Sequence, residues 1–400
     1  MLARSARLGP LTQCTDEAIV AAPAPQYDDA VTLLHSLSGP RGIRASASSH
    51  ANYAAVFARD AVMAGIAGLL IKDATITLGL RRTLEHLRDL QGPQGQIASN
   101  YVIGDESPPR VSFGTLVPRL DAALWFLIGV GLGVRTGALV AAEFRDAVHR
   151  VIDLLDGIEY NGRHLLYGPA GGNWADEYVY EGYVLHDQVL RAWGLRVAGD
   201  AFAEVAWQEK ARQIERAILG AYWPGDDGDR TYPLAAVSPT RVYDVFDLAS
   251  SALLGASGIA GGRAATTLDW IDETYLTRGA LPPAFSPVID EAHRDWPALA
   301  RYHLHGFRNR PHEYHNGGVW MIWLGWLAVA LARAHRHAAL ARLQHAVAAQ
   351  LSASPEFAFD EYFHGRTGKP SGVSQMAYSA TGMLFLRAAS DPVCLTLLAP

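Results

Sequence analysis

The chain has 400 residues, half of them hydrophobic and 18% charged, with a formal net charge of -6 at pH 7. That composition fits a large buried core and excludes a disordered chain. An acidic balance without any basic run argues against a nucleic-acid partner, because a phosphate backbone demands a cationic face. The two cysteines, Cys14 and Cys394, form neither a disulfide framework nor a zinc motif, which suits a reducing compartment.

Residues 1–25 end in Ala21-Ala22-Pro23-Ala24-Pro25 and read as an extended arm without the apolar stretch of a secretory signal. Residues 26–400 read as one domain. Apolar residues recur at three- and four-residue spacing over 27–37, 60–70, 76–90, 120–132, 141–155, 184–198, 203–222, 245–254, 264–275, 319–334, 338–351 and 375–388. This predicts about twelve helices, and no sustained two-residue alternation argues for a major sheet. The helices fall into pairs. One member is nearly uncharged, as over 122–128, and the other alternates apolar with charged residues, as over 204–216. A wholly apolar helix must be surrounded, whereas an amphipathic one can cover it and face water. Six such pairs without a fixed repeat period predict an all-α fold, an (α/α)6 toroid or six-hairpin barrel, rather than an open solenoid. The most apolar run, 319–334, is shorter than the ~20 residues of a bilayer span, so a buried helix in a cytoplasmic protein is expected, with no membrane partner.

Four long loops, 91–119, 161–183, 281–318 and 352–374, interrupt the pattern, and loops of that length in a compact domain are usually functional. If they open over one face of the ring they build one pocket. The richest is 171–183, Gly-Gly-Asn-Trp-Ala-Asp-Glu-Tyr-Val-Tyr-Glu-Gly-Tyr, which sets Asp176 and Glu177 among Trp174, Tyr178, Tyr180 and Tyr183. Carboxylates exchange protons and aromatic rings stack on sugars; adjacent side chains diverge, so one of the two acids faces substrate and the other faces protein or solvent. Near 52–60, Tyr53, Phe57, Arg59 and Asp60 offer rings and paired hydrogen-bonding atoms for hydroxyls, and Gln96, Asn100 and Asp121 add donors and acceptors. His315, Asn316 and Trp320 stand at the mouth of an inner helix. The last loop brings Glu361 and Tyr362, followed by Gln375. His303, His305 and His312 match no helical His-x-x-x-His metal pair, and 225–229 lacks a full calcium register, so no metal or other cofactor is expected.

Taken together, 52–60, 113–125, 172–183, 314–320 and 359–379 resemble the clan of (α/α)6-barrel glycoside hydrolases, and within it the neutral/alkaline invertases and the amylo-α-1,6-glucosidase (glycogen debranching) type. The resemblance implies an inverting exo-glycosidase acting on a small α-glucoside or α-glucosyl oligosaccharide. Asp176 matches the general acid and Glu361 the general base; Arg59, Asp60 and Asp121 match residues that grip the non-reducing sugar, and Trp174, Tyr178, Trp320 and Tyr362 would wall it. The chain departs from the invertases after the acid, where it reads Glu177-Tyr178-Val179-Tyr180 instead of a basic, methionine-containing run, while 368–372 looks more like the debranching type. Sucrose and α-1,6-linked glucosides both stay open as substrates, as does homo-oligomerisation. The alternative on the same toroid is a sugar epimerase, which would draw its acid and base from histidines such as His303, His305, His315 and His364.

Overall fold

A computed structural model describes residues 26–48, 52–104, 107–114, 117–159, 162–224, 230–301 and 306–398. The arm at 1–25, the acidic run 225–229, His303 and His305 lie outside the described residues.

Among the described residues fourteen helices follow in order: α1 (Tyr27–Leu37), α2 (Ala58–Leu70), α3 (Ala74–Asp89), α4 (Leu120–Arg135), α5 (Ala141–Gly157), α6 (Leu185–Phe202), α7 (Val205–Tyr222), α8 (Leu248–Ser257), α9 (Gly261–Thr274), α10 (Trp296–Leu299), α11 (Met321–Arg333), α12 (His337–Ala353), α13 (Ala377–Ala388) and α14 (Pro392–Leu395). All but the two single-turn helices, α10 and α14, coincide with the periodic stretches. The start of α8 moves to Leu248 because Asp247 caps it, its carboxylate accepting from the Ser250 amide at 3.2 Å.

Helices α2, α4, α6, α8, α11 and α13 each pack on the next, and α13 closes on α2; α3, α5, α7, α9, α12 and α1 cover them from outside. This is the (α/α)6 ring. The sequence dictates which helix goes where: α4 is buried without interruption from Asp121 to Gly133, whereas α5 buries the stripe Phe144, Ala147, Val148, Val151, Ile152 and Leu155 and leaves its other face to water. Trp125 of α4 and Trp326 of α11 come from opposite sides of the ring, yet their ring centroids lie 6.1 Å apart. Trp193 of α6 meets both edge-on, at 6.2 and 5.8 Å. Aromatic side chains therefore fill the axis, and the barrel is a packed core rather than a pore.

The ring is tightest between α11 and α13, where Gly325 and Gly382 let two backbones meet. A Cβ on Gly382 would sit 2.2 Å from the Met321 carbonyl oxygen. Gly382→Ala is expected to cost about 1–3 kcal/mol, read as a lowered thermal midpoint. Gly220→Ala on α7, where a Cβ meets nothing within 4 Å, is the control and should not destabilise.

The described residues also hold twelve strands of two or three residues: β1 (Ser38–Gly39), β2 (Gly42–Ile43), β3 (Val56–Phe57), β4 (Asn100–Val102), β5 (Arg110–Ser112), β6 (Tyr183–Val184), β7 (Ala236–Val237), β8 (Val242–Tyr243), β9 (Phe246–Asp247), β10 (Phe285–Ser286), β11 (Tyr362–Phe363) and β12 (Pro370–Ser371). All pairings are antiparallel: β1–β2, β3–β4–β5, β6–β7–β8, β9–β10 and β11–β12. Strands β3, β6 and β9 run straight into α2, α6 and α8, and single bridges (Val319 to Phe363, Ser46 to Met376) steady the entries to α11 and α13. These stitches pin the long loops beside the N-terminal turns of the inner helices. Asp60, Asp121 and Asp187 occupy such first turns, where the positive end of the helix dipole favours a carboxylate. No single described helix is long and apolar enough to cross a membrane.

Candidate active site

The described parts of the long loops and the inner-helix N-termini line a cavity of about 820 Å³. Tyr53, Phe57, Arg59 and Asp60 reach it from the entry to α2 and its first turn. Asn100, Ser112, Gly114 and Arg119 come from the β4–β5 hairpin and the approach to α4. Trp174 and Asp176 belong to the loop before α6. Arg308, Tyr314, His315 and Trp320 belong to the loop before α11. Glu361, Val373 and Tyr378 close the ring from the β11–β12 hairpin and α13. Asp176 and Glu361, 185 positions apart by number (361 − 176), therefore face one space.

Glu361 is 5% exposed. Burial pushes its carboxyl up from 4.5 to about 7, although the Arg308 guanidinium and a hydrogen bond donated by Tyr53 oppose the rise. The Tyr53 hydroxyl donates to Glu361 Oε1 at 2.9 Å and itself receives Arg308 Nη1 at 3.4 Å. Burial and the neighbouring Glu361 charge raise Tyr53, so its phenol stays protonated and keeps its donor role. Arg308 also clasps Glu177, with Nε to Oε2 at 3.2 Å, and lies over the Tyr314 ring at 4.1 Å.

The adjacent acids thus divide. Glu177 turns into the protein against Arg308, and Asn309 fastens its carbonyl at 2.8 Å. Asp176 faces the cavity, where Arg119 Nη2 donates to its Oδ2 at 2.8 Å and Arg119 Nη1 donates to the Gly171 carbonyl. The two adjacent acids diverge, and an arginine stands beside Asp176. The segment 171–182 is irregular, and α6 begins only at Leu185.

On the other wall, Arg59 bridges two acids. Its Nη1 donates to Asp121 Oδ2 at 2.7 Å, and its Nε lies 3.4 Å from Asp60 Oδ1, an ion-pair contact rather than a hydrogen bond. Burial pushes the Asp60 carboxyl up to about 6 against the pull of Arg59. His315 is fully buried and held well below the usual imidazole range by desolvation and by Arg308, Arg59 and Arg119, so it is neutral. Its ring stacks on Trp320 at 5.6 Å.

Six of the sequence-derived binding candidates do not line the cavity. Asp121 stands behind Arg59 and orients it. Tyr178 stacks on Phe285 at 4.0 Å, and Phe285 stacks on Trp174, so Tyr178 is a layer behind the wall. Tyr362 likewise backs Trp320 at 5.6 Å. Asn316 is consumed in holding the Ile289 backbone, with 2.7 Å bonds to its amide and its carbonyl. Gln96 closes its own turn on Gln94. Gln375 is exposed, with its backbone in the left-handed region. Conversely, Arg119, Arg308, Tyr314 and Tyr378 line the cavity and escaped the sequence reading. Arg119 and Tyr378 sit within two residues of an inner-helix start, and that position was the available signal. His312 and His364 stack on each other at 6.1 Å away from the lining residues. Among the described residues no group of three or more His, Cys, Asp or Glu is placed to hold a metal.

A closed ring of six helical hairpins with a carboxylate-bearing cavity at one end is the fold seen in the six-hairpin glycoside hydrolases. In sequence, the profile of the alkaline and neutral invertase family matches residues 292–389, the segment carrying Arg308, Trp320 and Glu361. No curated protein matches the chain in sequence. Among solved structures, a family 63 mannosylglycerate hydrolase from Thermus thermophilus in complex with Tris is similar, with a TM-score of 0.62 and 15% identity over 90% of this chain and 99% of that one. A rhamnosidase from Klebsiella oxytoca with rhamnose bound has a TM-score of 0.63 and 13% identity, covering 92% of this chain and 64% of that one. A bacterial glucoamylase complexed with acarbose has a TM-score of 0.61 and 15% identity, covering 92% of this chain and 56% of that one.

Proposed function

We propose that the protein is an inverting exo-glycosidase that hydrolyses a small α-glucoside, with Asp176 as general acid and Glu361 as general base. The observation that carries this reading is the shared cavity: two carboxyl groups face one space lined by Trp174 and Trp320. Inversion requires ~6.5–9.5 Å between the two carboxyls, room for one water. Glu361 would take a proton from that water while Asp176 protonates the departing oxygen. Arg59 and Asp60 would bind hydroxyls of the non-reducing sugar, with Trp174 and Trp320 as stacking surfaces. The epimerase alternative has less support among the described residues, where His315 is the one histidine lining the cavity and is held neutral.

The experiment is a screen of sucrose, trehalose, isomaltose and maltose, following the first-formed sugar by proton NMR. The expected product is the β-anomer from an α-glucoside; exclusive release of the α-anomer would refute inversion. Glu361 loses its proton near pH 7, so kcat/KM should change slope at about that pH, and a profile flat through it would count against a role for Glu361. A second reading exchanges the roles, because Glu361 holds its proton to about 7 while Asp176 is salt-bridged to Arg119. The two readings share that break and are separated by a substrate whose leaving group departs without a proton.

A further inference from the structure

Asp176, the acid of the proposed reaction, is held in an ion pair in this structure. Its partner, Arg119, is the last residue before α4 and lines the cavity. The guanidinium forks: one nitrogen reaches Asp176 Oδ2 at 2.8 Å and the other the Gly171 carbonyl. The same turn is tied to α4 a second time, because the Leu120 amide donates to the Gly172 carbonyl at 2.8 Å. The turn therefore does not depend on Arg119 alone. Gly171 has φ +76°, and a Cβ there would come within 2.8 Å of the Asp176 carbonyl, so the turn itself is compact. Other charged and titratable groups are close enough to interact with Asp176: Arg59 from α2, Tyr314 from the loop before α11 and Glu361 from its hairpin, while Glu177 is neutralised by Arg308.

We propose that Arg119 is a positioning residue that aims Asp176 along the 171–176 turn in the free enzyme, and that the leaving group displaces it from the carboxylate when substrate binds. This rests on the assignment of Asp176 as the acid. Displacement frees the carboxylate to take a proton from solvent and leaves the guanidinium facing the departing portion of the substrate, which it can bind through the same fork. The pair thereby couples occupancy of the leaving-group side to acid competence.

The test compares wild type, Arg119→Gln and Arg119→Lys. Each is assayed on an O-glucoside and on α-glucosyl fluoride, whose leaving group departs without a proton. The expected result is a kcat/KM on the O-glucoside lower by on the order of 10²-fold in Arg119→Gln, with partial rescue in Arg119→Lys and little change on the fluoride. Equal loss on both substrates, or no loss on the O-glucoside, would overturn the proposal. A wild-type protein that cleaves neither substrate would count against the glycosidase reading instead.

Discussion

Glu361→Gln is expected to lower turnover by about 10²–10⁴-fold, the usual contribution of a positioned acid–base group. The same substitution should make the protein more stable above pH 7. Burial raises the folded-state carboxyl from 4.5 to about 7, so the folded chain binds this proton more tightly than the unfolded chain. The stability linked to it is present in full below 4.5 and is lost as pH rises through about 7. At about 1.4 kcal/mol per tenfold change in proton affinity, the ionised carboxylate costs on the order of 3 kcal/mol at alkaline pH. Glutamine is neutral, keeps an oxygen to accept from Tyr53, and avoids that penalty. Chemical denaturation at pH 5 and pH 8.5 checks this: wild type should lose stability between the two, and the variant should lose less. A group retained at a stability cost is what a functional carboxylate looks like, whereas a structural one would destabilise on removal.

Arg59→Ala should have the largest effect on stability. Arg59 is the cation between Asp60, 6% exposed, and Asp121, 2% exposed. Removing it leaves two buried carboxyls without their counter-charge at the first turns of adjacent inner helices. Breaking a buried pair in this way costs about 3–5 kcal/mol, because the remaining charge stays desolvated. Asp60, already pushed up to about 6 by burial, would then take up a proton at neutral pH. The expected result is a lowered denaturation midpoint that partly recovers as pH falls toward 5, since protonation relieves the uncompensated charge. A double substitution, Arg59→Met with Asp121→Asn, should recover more stability than either change alone if the pair is the cause.

Much of this architecture is legible in the primary structure, and the reason is periodicity. Twelve helices of ten or more residues write their buried faces into the chain at three- and four-residue spacing, and the absence of charge over 122–128 marks α4 as interior. Two-residue strands such as β3 and β6 have no period to read, so the stitches at the inner-helix entries come only from the fold. The site divides along a similar line. Asp176 and Glu361 stand out because acids surrounded by glycine and aromatic residues are unusual in loops. Whether a neighbouring side chain faces the cavity depends on backbone rotation in irregular segments, which is why Tyr178 and Tyr362 fall one layer behind Trp174 and Trp320. The arginines were hidden for another reason. Arg119 meets Asp176 across 57 positions and Arg308 meets Glu177 across 131, and no local pattern encodes such partners.

The assignment of Asp176 as acid and Glu361 as base is tested most directly with α-glucosyl fluoride, because fluoride departs without a proton while water still needs a base. Asp176→Asn should hydrolyse the fluoride readily while failing on an O-glucoside, and Glu361→Gln should fail on both. The reverse pattern, with Glu361→Gln alone sparing the fluoride, would contradict the account.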